Sequence, residues 1–171
     1  WDYARQLPHN GWRGCMSAAR TLDLVEADGR LEIRQHFTGL PTGEPSSMEQ
    51  LPSGTRIEIS GPGLLVLEAA PAPDAPVILS LHRADGSLIS ELHIDQQRIT
   101  HCRKPGIVSH ELYASTQYMP LSATHSAAPI QVLLDHGSVE ILACNGLRSL
   151  TDQLTGEAVP AYLELKAGNH S

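Results

Sequence analysis

Leu134-Asp135-His136-Gly137-Ser138-Val139-Glu140-Ile141-Leu142-Ala143-Cys144-Asn145-Gly146 is the stretch that decides the fold. Ile130 to Asp135 and Ser138 to Cys144 are two apolar runs on either side of a two-residue turn, and Asn145-Gly146 then turns the chain into Leu147 to Leu154. Runs this short, bounded by turn residues at once, read as one hairpin following another.

The same grammar extends in both directions. Upstream, Thr21 to Val25 alternates apolar and polar residues, Asp28-Gly29 supplies the positive φ of a type I′ turn, and Leu31 to Phe37 returns with Leu31, Ile33 and Phe37 on one face. Residues 38–55 hold Pro41, Gly43, Pro45, Pro52 and Gly54 and read as a loop, with a short helical turn expected around Met48. Arg56 to Ser60, Leu64 to Leu67, Val77 to His82, Leu88 to Ile94, Arg98 to Cys102 and Ala161 to Leu165 follow as strands, and Asp85-Gly86 closes another hairpin. Residues 107–129 carry no clear period, with Tyr113, Tyr118 and Leu121 as anchors. About eleven or twelve short strands, with no long stretch of helical period, call for two sheets that cover one another's apolar faces. The expected fold is all-β, an antiparallel β-sandwich of two sheets, lectin-like (concanavalin-like) in architecture.

At 171 residues, 41% of them hydrophobic and 18% charged, the chain is long enough for one domain with its own core. It has no run of about 18 apolar residues and so no expected membrane span. Its net charge is −7 with 12 Lys plus Arg, and these do not cluster as a nucleic-acid footprint would. A weak acidity of this kind suits a neutral ligand without selecting one. Trp1 stands first where a native chain begins with Met, which fits a processed or partial chain. Cys15, Cys102 and Cys144 are far apart without C-x-x-C spacing and read as small buried residues, one at least of them unpaired.

Catalytic chemistry is hard to place on this pattern. Asp28 and Asp85 are turn residues, while Glu58, Glu91, Glu140 and Glu164 alternate with apolar neighbours, as solvated strand carboxylates do. Glu140, opposite in direction to Val139 and Ile141, suits a structural ion pair or a contact with another domain better than an acid catalyst. The nine histidines include His82, His93, His101 and His110 on or near strands, but no H-E-x-x-H or other metal spacing. No G-x-S-x-G elbow and no phosphate loop occurs. No catalytic residue, metal or cofactor is assigned. Trp1, Tyr3 and Trp12 are candidates for packing against another domain or for stacking on sugar rings, with packing favoured.

Trp1-Asp2-Tyr3-Ala4-Arg5-Gln6-Leu7-Pro8, followed by Trp12-Arg13-Gly14-Cys15-Met16-Ser17-Ala18-Ala19-Arg20-Thr21-Leu22, resembles a junction in glycoside hydrolase family 32, the levanases, inulinases and invertases. That junction reads N-W-x-Y-A-x-x-x-P…W-R-G-x-M-(S/T)-x-P-R-E-L and joins a catalytic five-bladed propeller to a C-terminal β-sandwich. The family's L-D-x-S-S-V-E-V-F-x-N-D-G is similar to Leu134 to Gly146, and its D-R-x-x-S-G segment is loosely similar to Arg103 to Ser109. Ala19, Thr21 and Gly137 depart from the usual Pro, Glu and Ser, and the Asp before Arg103 is missing. The family's catalytic W-M-N-D-P-N-G, R-D-P and E-C-P motifs lie in the propeller, and none of them occurs in this sequence.

The resemblance implies a junction over residues 1–20, a sandwich over 21–171, and Arg13, Arg20, Asp135 and Glu140 as structural family markers. It implies a non-catalytic C-terminal sandwich of a fructan-hydrolysing enzyme, of levanase or β-fructofuranosidase type, bracing the propeller and contributing to substrate access or oligomerisation. The expected partner is the catalytic propeller of the same parent protein, with fructan or another carbohydrate as a further one. The setting leans towards secreted, extracellular or periplasmic. An independent fructan-binding, lectin-like module is the alternative, and an enzyme in its own right is the third reading.

Overall fold

The computed structural model describes residues 4–7, 16–40, 46–47, 51–68, 71, 75–104, 108, 110–125, 127–135, 137–154 and 160–167. The order of strands is β1 (Arg20–Ala27), β2 (Arg30–Phe37), β3 (Ser46–Ser47), β4 (Arg56–Glu58), β5 (Gly63–Leu67), β6 (Val77–His82), β7 (Leu88–Ile94) and β8 (Arg98–Arg103), then, after helix α1 (Glu111–Ala114), β9 (Gln117–Pro120), β10 (Ile130–Leu134), β11 (Ser138–Ala143), β12 (Arg148–Gln153) and β13 (Tyr162–Ala167). One sheet runs β12-β11-β10-β5-β3 and the other β4-β13-β6-β7-β8-β9. All pairings are antiparallel except the two-residue strand β3, which lies parallel to β5.

Alternation decides what fills the space between the sheets. Leu65 and Leu67, Val132 and Leu134, and Val139 and Ile141 project from the five-stranded sheet. Leu79 and Leu81, Leu92 and Ile94, Ile99, and Leu163 and Leu165 meet them from the six-stranded one. Leu79, Leu81, Leu92, Ile94, Ile99, Val132, Val139 and Ile141 are completely buried. Each such side chain contributes about 1.5–3 kcal/mol of transfer free energy, so this layer is the main source of stability.

The sandwich is as the sequence leads one to expect, with two differences. The hairpin β1–β2 is not a member of either sheet but a separate two-stranded ribbon. The unpatterned stretch before β10 contains α1, the edge strand β9 and a single 3₁₀ turn at Ala123–His125. The helical turn expected around Met48 falls outside the described residues, although Ser46–Ser47 just before it forms β3.

Turn chemistry places the ribbon. Asp28 and Gly29 have φ of 48° and 73°, as a type I′ turn requires, and fix the register from Arg20↔Phe37 to Ala27↔Arg30. The β11–β12 turn carries three successive positive φ values, at Cys144 (54°), Asn145 (55°) and Gly146 (81°). Gln35 of β2 donates its amide to the Gly146 carbonyl at 3.0 Å, so the free edge of the ribbon abuts this turn. A Cβ on Gly146 would stand 2.1 Å from the Gln35 carbonyl oxygen. Backbone cannot yield there as a side-chain tip would.

Gly146→Ala therefore combines left-handed strain with a backbone clash and is expected to cost about 2 kcal/mol or more. Urea denaturation measures the loss, and hydrogen exchange should show it concentrated in the β1–β2 amides. Uniform loosening of β6 to β8 instead would mean that the ribbon is not held at this turn.

Candidate functional site

Every residue of β11 is buried, including Glu140, which is 2% exposed although its side chain points away from the core. It lies between Leu133 of β10 and Thr151 of β12 on the outer face of the five-stranded sheet. Residues 18–20 cover it. Glu140 Oε1 accepts the Ala18 amide at 2.7 Å, and Oε2 accepts Nη2 of Arg20 at 2.5 Å. The same guanidinium donates to Gln35 Oε1 at 2.8 Å and Thr151 Oγ1 at 2.9 Å, and sits 5.3 Å from the Phe37 ring centroid. Gln35 in turn donates to Ser149 Oγ. Further along the ribbon Arg148 pairs with Glu32 at 2.6 Å, and near the tip Thr124 donates to Asp28. The ribbon is thus fastened by polar contacts along its length.

That fastening leaves its apolar side uncovered. Leu24 and Ile33 are direct cross-strand partners, and Leu22 and Leu31 share their face one pair to either side. They are 64% (Leu22), 70% (Leu24), 57% (Ile33) and 71% (Leu31) exposed, and Met16 at the ribbon's root is 93% exposed. Beside them an open concavity of about 550 Å³ is lined by Met16 to Arg20, Leu22 and Gln35. Single exposed leucines are commonplace; Leu22, Leu24, Leu31 and Ile33 together form a contiguous apolar patch on one ribbon. The sequence pattern gives Leu31 and Ile33 a common face, and the structure turns that face to solvent rather than to the core.

A second polar cluster lies inside the sandwich, near its open edge. His101 of β8 is fully buried, and its Nδ1 lies 2.5 Å from Asp152 Oδ2 of β12. Arg103 lies 3.5 Å from Asp152 Oδ1, donates to the Gln153 carbonyl at 3.0 Å, and stacks 4.4 Å from the centroid of Tyr113 in α1. Beside it, an open groove of about 500 Å³ runs between β9 and β12. Asp152 joins the two sheets, with one carboxylate oxygen towards His101 and the other towards Arg103. Among the described residues no group of three or more His, Cys, Asp or Glu is arranged to hold a metal.

Of the residues singled out by sequence, Arg20 and Glu140 are brought together across 120 positions. Asp135 lies at the β10–β11 turn, where its amide donates to the Ser138 carbonyl at 3.0 Å. Trp1, Tyr3, Trp12 and Arg13 lie outside the described residues. Glu140, set apart in sequence from the other strand carboxylates as suited to a structural ion pair, makes one with Arg20 and is buried rather than solvated, because residues distant in the chain cover it. Glu58, at 67% side-chain exposure, does face solvent. Cys102 and Cys144 are free thiols, Cys144 buried and Cys102 partly so. Sequence reading did not find Gln35, Ser149 or the His101–Asp152–Arg103 group. Their spacing carries no signal, since each contact crosses between strands far apart in the chain.

No protein-family model matches the sequence, and no curated protein matches it. Solved structures do match in fold. Exo-inulinase from Aspergillus awamori superposes with a TM-score of 0.63 and 19% identity over 99% of this chain and 36% of that one. A fructofuranosidase from Schwanniomyces occidentalis, complexed with fructose, gives 0.62 and 17% over 99% of this chain and 40% of that one. A further fructofuranosidase structure from S. occidentalis, complexed with fructosylnystose, gives 0.58 and 15% over the whole of this chain. The chain spans 36–40% of the length of the chains in these three structures.

Removing the Glu140 carboxylate strands a nearly buried guanidinium and the Ala18 amide. Glu140→Ala should cost about 3–5 kcal/mol, the range for breaking a buried pair from one side. A double-mutant cycle with Arg20→Leu, read by urea denaturation, should give a coupling above about 1 kcal/mol. Additive losses would show that the two side chains act separately.

Proposed function

We propose that this chain is the non-catalytic C-terminal β-sandwich of a glycoside hydrolase family 32 fructan hydrolase, of levanase or β-fructofuranosidase type. Residues 1–20 serve as the junction with a catalytic propeller in the same parent protein, and the apolar face of β1–β2 is where that propeller seats. The observation that carries this reading is the exposed row Leu22, Leu24, Ile33 and Leu31 on a ribbon rooted directly after the junction. Covering those four side chains would contribute on the order of 2 kcal/mol each in gross transfer free energy. The fold shared with part of an exo-inulinase and of a fructofuranosidase supports the same assignment, as do the junction and hairpin motifs.

In this role the sandwich shields the apolar surface of the propeller and braces it. Trp1, Tyr3 and Trp12 add large amphipathic rings to the same interface. The sandwich needs no catalytic carboxylate, because nucleophile and acid belong to the propeller. Arg20 and Glu140 act by holding the ribbon at one angle, so that the docking face is presented as a rigid surface.

Two measurements test this. The native chain should bind an environment-sensitive apolar dye, and Leu22→Glu with Ile33→Glu should abolish most of that signal while leaving far-UV circular dichroism unchanged. The coding sequence upstream of Trp1 should contain a W-M-N-D-P-N-G motif. An upstream sequence that encodes no such propeller overturns the assignment, whatever the dye shows.

A further inference from the structure

We propose that Asn145-Gly146 is a self-modifying site. When the β1–β2 ribbon lifts away, Asn145 closes to a cyclic imide and reopens as isoaspartate, and the altered turn no longer receives the ribbon. The site stands on the turn and the ribbon edge alone, whatever the apolar face of the ribbon docks.

Packing selects the reactive pair. Gly146 has a φ of 81°, and a Cβ there would stand 2.1 Å from the Gln35 carbonyl oxygen. Only glycine meets both demands. Asn145 precedes it at a φ of 55°, a left-handed conformation that asparagine adopts more readily than most residues. Asn145 is exposed, so water reaches its side chain. An asparagine carboxamide carbon lies within ring-closing reach of the next backbone nitrogen, and a following glycine has no side chain to shield that nitrogen. The close approach of the ribbon thus enforces, after an accessible asparagine, the neighbour most open to attack.

The reaction needs only water and base. The Gly146 amide loses its proton to solvent, and its nitrogen attacks Cγ of Asn145. The N–Cγ bond forms, the Cγ–Nδ2 bond breaks, and Nδ2 takes up a proton and leaves as ammonia. Water then opens the five-membered imide. Attack at Cγ yields aspartate; attack at the backbone carbonyl carbon leaves the chain running through Cβ and Cγ, as isoaspartate. Either path exchanges one ammonia for one water.

The docked ribbon holds this chemistry off. Gly146 donates its amide to the Ala143 carbonyl at 3.0 Å, and Leu147 donates to the Cys144 carbonyl at 3.1 Å. The Gly146 carbonyl accepts the Gln35 amide at 3.0 Å. The attacking nitrogen is therefore pinned through its own proton, and freeing it means opening the turn on which the ribbon rests. Conversion then scales with the fraction of molecules whose ribbon is released. Isoaspartate adds a carbon to the backbone between Cys144 and Gly146, so the turn and the Gln35 contact cannot both re-form. Aspartate tolerates the same positive φ as asparagine and keeps them.

The full chain is incubated at mildly alkaline pH and followed by peptide mapping, where a mass gain of about 1 Da marks the exchange. Asn10-Gly11, the other Asn-Gly pair of the sequence, calibrates the chemistry in urea. Asn145 should convert at least about tenfold more slowly in the native chain than in urea. Glu32→Ala removes the ribbon's contact with Arg148, and Thr124→Ala its contact at Asp28. Each should speed native conversion, Glu32→Ala about threefold, with hydrogen exchange in β6 to β8 unchanged. The purified isoaspartyl chain should lose exchange protection in β1–β2 and keep it in β6 to β8. Asn145→Asp, which supplies the charge without the extra carbon, should keep protection in both. Equal rates in the native and unfolded chains, no acceleration in either variant, or native protection of β1–β2 in the isoaspartyl chain would each overturn the proposal.

Discussion

A carboxylate in the middle of a buried strand is the constraint on which the arrangement of this molecule depends. Glu140 is 2% exposed and Arg20, its partner, 11%. A buried ion pair is seldom a large net source of stability, since desolvation of both groups offsets most of their attraction. Its effect is geometric. Glu140 takes an amide and a guanidinium from residues 18–20, and the guanidinium reaches Gln35 on the second strand of the ribbon and Thr151 on β12. Four elements are thereby fixed by donors of defined direction, where an apolar contact would tolerate sliding. The Gln35–Gly146 backbone contact then sets how closely ribbon and turn approach.

The sandwich beneath follows a simpler rule until its edge. Apolar side chains fill the interior wherever both sheets supply them. Between β8 and β12 the filling changes to His101, Asp152 and Arg103, because the edge strands β9 and β12 leave a groove open beside them. Asp152 binds partners from β8 with both oxygens, and Arg103 extends the connection to Tyr113 of α1. The core thus ends in a hydrogen-bonded clasp between the sheets, and α1 is tied to the same arginine.

Much of this fold is visible in the sequence because local and global signals agree. Alternation with the Asp28-Gly29 and Asn145-Gly146 turns places β1–β2 and β11–β12, and these four turn residues take the positive φ values their types favour. Elements without local signal are not visible. β3 is two residues long and exists only through its parallel pairing with β5, and β9 is specified by β8 rather than by a period of its own. Burial of Glu140 is invisible for the same reason, since its strand pattern is that of Glu164 and only a segment 122 residues away distinguishes them. Alternation tells which face a side chain takes, not whether that face will be covered.

This distinction bears on the ribbon itself. An exposed row of leucines on a two-stranded ribbon is an aggregation hazard unless something covers it. The simplest remedy would be to fold the row inward onto the sandwich. Polar contacts fix the ribbon instead: Arg20 and Gln35, on the same face as the row, engage the sandwich at the root, Glu32 is held from the other face by Arg148 and Asp28 at the tip by Thr124, so the ribbon cannot turn as a unit without breaking them. The sequence thus spends its polar side chains on keeping Leu22, Leu24, Leu31 and Ile33 outward. Covering that row would lower the free energy of the chain without moving the ribbon, and this is the physical basis of the docking role proposed for it.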